Sequence, residues 1–451
     1  MAIASLRQLT IRGSVIELSS YLLGQILRLC SNLILTRLLF PDAFGLATLI
    51  VTFMFGLALL SDIGIEQSVI QNKRGDDPLF LDTAWALHVV RGLALWGAAA
   101  LVAYPLSLVY EQPQILYLLP VAAVGIVIDG FKSTSLMRLR REVAVTQLAA
   151  INIGAQLAGM LVTVTWAVLS PSVWALVVGG LASSAVRTIA SHMSWLGTRN
   201  RFRWDPEAKR EILNFGRWIF GSSVMTFIGK QGDRLLLGHY MGIATLGIYS
   251  MAVFIAEAVV QAATAVTSGV LYPVFSRLQR EEPARFSEVY YRAKLRLDAV
   301  TLLPIGGLMM LAQPVVDILF DDRYQSAGWM LQLLCIRAAT TITLAQIENS
   351  LFALGLTRYG FFQNVVRTIW ICTSIPIAWH LWGLPGIVWC VALSDLPSLV
   401  TLALPFKRLG LMRPARELYS LGLLALGMVL GYGANLFMIL LFGEGWARSV
   451  L

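Results

Sequence analysis

Charge is scarce in this sequence: Asp, Glu, Lys and Arg make up 14% of 451 residues, against 57% hydrophobic residues and a mean hydropathy of +0.70. A soluble domain carries roughly a quarter charged residues, so this composition excludes one. Cysteine is scarce too. Cys30, Cys335, Cys372 and Cys390 fall inside apolar runs without paired spacing, which suits small buried hydrophobes better than a disulfide framework or a metal site. There is no glycine-rich phosphate loop: "GKQGDR" at Gly229 lacks the Walker spacing, so ATP hydrolysis and a bound cofactor are not expected. Long polar segments are missing on one side of the chain. The segments expected outside, such as "YEQPQ", "SPS" and "DDRYQSAG", are too short for the external catalytic loop of a membrane polymerase or ligase, so an enzyme is not expected. The start, "MAIASLRQLTIRG", has no small-residue cleavage site and reads as the lead-in to an uncleaved first helix.

What the chain has instead is apolar length. Thirteen runs approach the roughly 20 residues that cross a bilayer: 14–38, 45–69, 82–109, 114–136, 146–169, 173–195, 213–239, 245–272, 296–317, 328–353, 360–381, 384–405 and 418–442. Such runs span only as helices or closed barrels, and their length selects helices, so the fold class is all-α and polytopic. With a cytoplasmic N-terminus, cytoplasmic segments hold 22 Lys and Arg residues and external ones only Arg37, Arg323 and Arg448. That asymmetry is the positive-inside signal, and it attributes the net charge of +9 to topology rather than to nucleic acid.

The basic segment "TRNRFRWDPEAKREI" divides six runs from seven. The expected organisation is an N-lobe over 1–195, a linker over 196–212, a C-lobe over 213–405, and a final loop and span over 406–451. Sliding the chain by 202 residues lays Leu33–Ala47 on Leu235–Tyr249, with Gly45 on Gly247 and Arg28 on Lys230. Six spans separate the copies, an even number, which describes a parallel repeat about an axis along the membrane normal.

Several runs carry polar residues at helical spacing: Glu17, Tyr21, Arg28 and Asn32; Ser222, Thr226, Lys230 and Asp233; Glu257, Gln261, Thr264 and Ser268; Arg337, Thr341 and Glu348; Gln363, Arg367 and Ser374. An arginine at the centre of a span costs roughly 2.5–3.5 kcal/mol on insertion scales. Arg28, Lys230 and Arg337 would together cost about 7–10 kcal/mol against lipid, so they are expected to face a wet interior. Arg91 and Arg367 lie about two turns deep, where snorkelling to the interface is an equal alternative. These five cations are the candidate substrate-binding set. Glu17, Asp62, Asp129, Glu257 and Glu348 are candidates for coupling to an ion, or equally for pairing with the cations.

The stretches "TRLLFPDAFGLATLIVTFMFGLALLSDIGIEQSVIQNK", "NFGRWIFGSSVMTFIGKQGDRLLLGHYMGIATLGIYSMAVFIAEAV" and "VLYPVFSRLQREEPARFSEVYYRAK" resemble the polysaccharide transporter family. These are the Wzx-type flippases of the multidrug/oligosaccharidyl-lipid/polysaccharide exporter superfamily. The resemblance implies two pseudo-symmetric bundles of six helices around a central cation-lined cavity, plus at least one extra C-terminal helix, working by alternating access. It implies as cargo an undecaprenyl-pyrophosphate-linked oligosaccharide, flipped to the outer leaflet of the bacterial inner membrane for exopolysaccharide, capsule or O-antigen synthesis. Its partners would be membrane lipid and the pathway's polymerase and chain-length regulator. Members commonly show twelve or fourteen spans, and thirteen is a departure. A multidrug-type antiporter of the same superfamily is the alternative, which would favour acidic and aromatic cavity residues over cations.

Overall fold

The computed structural model describes residues 2–61, 64–72, 74–141, 144–193 and 200–443. Among them every regular element is helical, and the chain separates into two compact units, Met1–Phe227 and Ile228–Leu451. Unit 1 holds α1 (Ala2–Leu38), α2 (Pro41–Leu60), α3 (Ile65–Gln71), α4 (Pro78–Val109), α5 (Ile115–Gly130), α6 (Ser135–Arg141), α7 (Val145–Leu169) and α8 (Trp174–Ser191). Proline marks two of its helix starts, Pro41 and Pro78, where a missing N–H costs nothing. Asp77 caps α4 by accepting the Leu79 N–H at 3.0 Å.

The α9 helix (Pro206–Met241) runs from unit 1 into unit 2. Within 196–212, expected as a linker, residues 200–211 are hydrogen-bonded into unit 1. The Arg201 N–H donates to Asp82 Oδ1 at 2.9 Å, the Asp205 N–H to Thr83 Oγ1 at 3.0 Å, and Asn200 bridges Ser133 and Thr134. Arg74 is ringed by Asp77 at 3.1 Å, Asp205 at 2.6 Å, Glu207 at 3.4 Å and Glu211 at 3.7 Å. The hydrogen bond from Arg74 holds the Asp205 carboxyl below the usual carboxylate range. Compactness therefore divides the chain inside α9, at 227/228, and the basic segment belongs with unit 1 through its polar contacts.

Unit 2 continues with α10 (Ile243–Val266), a five-residue π turn at Thr267–Leu271, α11 (Tyr272–Glu281), α12 (Phe286–Met310), α13 (Ala312–Leu319), α14 (Ala327–Ala353), α15 (Arg358–Ala392), α16 (Asp395–Arg408) and α17 (Pro414–Phe442). The chain doubles back within α15 at Gly383, whose φ of 62° and ψ of −142° lie where a β-carbon is strongly disfavoured. The contacts across it are antiparallel: Trp370 Nε1 donates to the Cys390 carbonyl at 2.9 Å, and Ser398 Oγ to the Gln363 carbonyl at 3.4 Å. The apolar stretch 358–408 is thus a helical hairpin.

The last helix is fastened to α12. A β-carbon at Gly427 would lie 2.2 Å from the Leu303 carbonyl oxygen, so the two backbones touch there and only glycine fits. Nearer the helix starts a buried polar knot ties α12, α14 and α17: Lys294 pairs with Asp298 at 3.0 Å, Gln346 donates to Asp298 at 2.8 Å, and Ser420 donates to Asp298 at 2.6 Å. Tyr291 donates to Glu417 at 2.9 Å beside it.

Each of the thirteen expected intervals overlaps a helix. By length and apolarity alone, eight helices of the described residues qualify as spans, or nine with the pair Pro283–Met310 and Ala312–Leu319, bent by 79°. The difference has physical sources. The hairpin 358–408 counts once, α5 has 16 residues, and α1 and α9 carry polar residues such as Arg28 and Lys230 along their apolar length.

Candidate functional site

Each unit contains a polar cavity. In unit 1, Ser20, Tyr21, Gly24 and Arg28 share one face of α1, and Asn152 and Gln156 share one face of α7. The two helices are joined where Gln156 Nε2 donates to the Gly24 carbonyl at 2.7 Å. Between these faces lies a cavity of about 610 Å³, with Arg140 of α6 at its edge. Arg140 is occupied by an ion pair with Glu66 of α3. Arg28 is solvent-exposed, and among the described residues it has neither ion pair nor hydrogen bond and no carboxylate lines the cavity. The arrangement offers an unspent guanidinium with neutral amide and hydroxyl groups around it, which is the chemistry of an oxyanion site.

Unit 2 has a cavity of about 380 Å³ formed by α9, α10, α14 and α15. Four cations line it, and three are held by acids. Arg337 Nη1 donates to Asp233 Oδ2 at 2.9 Å, and Asp233, 2% exposed, also accepts from the buried Tyr249 hydroxyl at 2.7 Å. Arg367 pairs with the buried Asp395 at 3.2 Å across the α15 hairpin, and Thr341 hydrogen-bonds the same carboxylate. Arg234 pairs with Glu257 at 3.5 Å. Lys230, exposed to the cavity, has no ion pair among the described residues. Glu348 faces the same space beside Gln363, which hydrogen-bonds it.

Of the ten residues singled out from sequence, the structure brings Lys230, Arg337, Arg367, Glu257 and Glu348 to the unit 2 cavity and Arg28 to the unit 1 cavity. Arg91 lines neither. It donates to the Ala58 carbonyl at 2.7 Å and to Ser61 Oγ at 3.0 Å, closing the C-terminal end of α2. Asp129 pairs with Lys132 at 3.2 Å and borders a separate, mostly apolar cavity of about 220 Å³. Asp62 lies outside the described residues, and the side chain of Glu17 outside the described side chains. Sequence reasoning missed Tyr249 and Asp395, whose partners are 16 and 28 residues away on other helix segments. The one local trace of Asp395 is its place as first residue of a helix that follows a break in an apolar run.

A family model described as "Polysaccharide biosynthesis protein" matches residues 34–328, more than half of the chain. The chain belongs to the polysaccharide biosynthesis protein family. It is similar to the lipopolysaccharide biosynthesis protein WzxC of Escherichia coli (strain K12), 24% identical over 85% of this chain and 78% of that one. It is also similar to the succinoglycan biosynthesis transport protein ExoT of Rhizobium meliloti (strain 1021), 24% identical over 74% and 67%. Among solved structures it shares the fold of the lipid II flippase MurJ in an inward closed conformation, with a TM-score of 0.75, 12% identity and 97% of both chains covered. It also shares the fold of an inward-facing MATE transporter, with a TM-score of 0.67, 14% identity and 88% and 98% covered. This family member is a multi-pass membrane protein.

Proposed function

We propose that the protein flips an undecaprenyl-diphosphate-linked oligosaccharide from the inner to the outer leaflet of the bacterial inner membrane, with its N-terminus in the cytoplasm, and that Arg28 in the unit 1 cavity and Lys230 in the unit 2 cavity each offer a site to the diphosphate. One observation carries the reading. Arg28 falls on Lys230 at the 202-residue offset read from the sequence, and each is a cavity-lining cation without an ion-pair partner among the described residues. A diphosphate diester brings two negative charges and acceptor oxygens, and it gains charge-assisted hydrogen bonds from unspent cations. The names of WzxC, ExoT and MurJ support a saccharide-bearing lipid as cargo.

Outward movement of two negative charges is downhill by roughly 4.6 kcal/mol per 100 mV of inside-negative potential, so potential alone is a sufficient source unless ions move with the cargo. Asp129, Glu257 and Glu348 remain the described candidates for coupling such an ion. Delivery to a polymerase and chain-length regulator on the outer side completes the reading. The test is polymer export from cells carrying the Arg28→Ala, Lys230→Ala double variant. Export is expected to stop, with lipid-linked oligosaccharide accumulating on the inner leaflet, and Lys230→Arg should retain more export than Lys230→Glu. Wild-type export from a well-expressed double variant refutes the assignment.

A further inference from the structure

The unit 2 cavity looks cationic by its lining but not by its balance. Arg337, Arg367 and Arg234 are each neutralised by Asp233, Asp395 and Glu257, which leaves one cation, Lys230, and one carboxylate, Glu348. If Lys230 is taken by the diphosphate, the rest of the wall is neutral ion pairs plus a surplus of acceptor oxygens. Glu348 is one source. Gln363 is another: the residue is 5% exposed and its Oε1 is buried without a hydrogen-bond partner among the described residues, although it lines the cavity. Asn364, one residue on, also lines it and has no side-chain hydrogen bond among the described residues.

Orphaned acceptors in a polar cavity are satisfied by a ligand that brings O–H or N–H groups. A diphosphate has none and is repelled by Glu348. Sugar hydroxyls both donate and accept, and a carboxylate beside two amide side chains matches them. We infer that this cavity is the glycan subsite: Glu348, Gln363 and Asn364 hydrogen-bond hydroxyl-rich sugar residues next to the diphosphate. The inference rests on the proposed function above. It separates the anion, read by Lys230, from the saccharide, read by the neutral wall of the same cavity.

The experiment measures binding to the purified full-length protein of two probes, undecaprenyl diphosphate and undecaprenyl diphosphate carrying one hexose. Wild-type protein is expected to bind the glycosylated probe about tenfold more tightly. Glu348→Ala and Asn364→Ala should each remove most of that increment and leave the affinity for the bare carrier within about twofold of wild type, while Lys230→Ala weakens both probes alike. Equal wild-type affinity for the two probes overturns the glycan subsite and leaves the flippase reading standing. So does a loss in Glu348→Ala that is the same for both. Binding of neither probe overturns the flippase reading itself, and with it the subsite. Melting temperatures recorded alongside separate a local loss from unfolding, and Asn364→Ala, at a half-buried position without a side-chain bond, tests the subsite independently of any strain from removing Glu348.

Discussion

At the scale of single residues, cations in equally apolar stretches divide by what neutralises them. Arg337 and Lys230 face one cavity, yet Arg337 sits 2.9 Å from a buried aspartate and Lys230 from none. Removing one member of a buried pair strands the other, typically at a cost of 3–5 kcal/mol, whereas removing Lys230 breaks no ion pair among the described residues. Arg337→Gln is therefore expected to lower the melting temperature and membrane abundance sharply, while Lys230→Ala leaves both near wild type and loses export. Equal stability of the two variants would contradict the division. The cost of charge in lipid made these cations legible in the sequence, and the repeat offset put Arg28 beside Lys230. Which cations were already paired was not legible. Asp395 reaches Arg367 only because the chain reverses between them, and no local spacing encodes a contact across 28 residues.

At the scale of elements, each apolar run overlaps a helix, but hydropathy does not show how helices are fastened. The segment 200–211 shows the difference: its basic, polar composition reads as a linker, and its backbone amides are spent on Asp82 and Thr83 while Asp205 grips Arg74. Composition reports solubility; the partners Arg74, Asp82 and Thr83 lie more than a hundred residues earlier. Because the Asp205 carboxyl is held below its ordinary value, its contribution is complete above the unfolded value near pH 4 and fades as pH falls through the lower folded one. Backbone amides of 200–211 are expected to exchange with deuterium slowly at pH 7 and faster below about pH 4 after correction for intrinsic rates. Asp205→Asn should show the fast behaviour at neutral pH. Protection that is unchanged in Asp205→Asn would remove this carboxylate from the fastening.

At the scale of the whole molecule, the positive-inside count and the number of crossings make one joint statement about sidedness. With a cytoplasmic start, Gly410, between α16 and α17, is expected inside and Gly383 outside. Single cysteines at their exposed neighbours Trp382 and Leu409, in a chain cleared of its own four, should react with a membrane-impermeant maleimide from the periplasmic side only at Trp382. Labelling at Leu409 instead would invert the topology. Gly383 also governs something larger than a turn. Continued as one straight helix, 358–408 would be about 76 Å long, more than twice the hydrocarbon thickness, and would pass through the membrane once. Folded at a single positive-φ residue, it would pass twice. The parity of the expected crossings, and hence the side of the membrane on which the residues after α16 are expected to lie, turns on a backbone conformation that only glycine adopts readily.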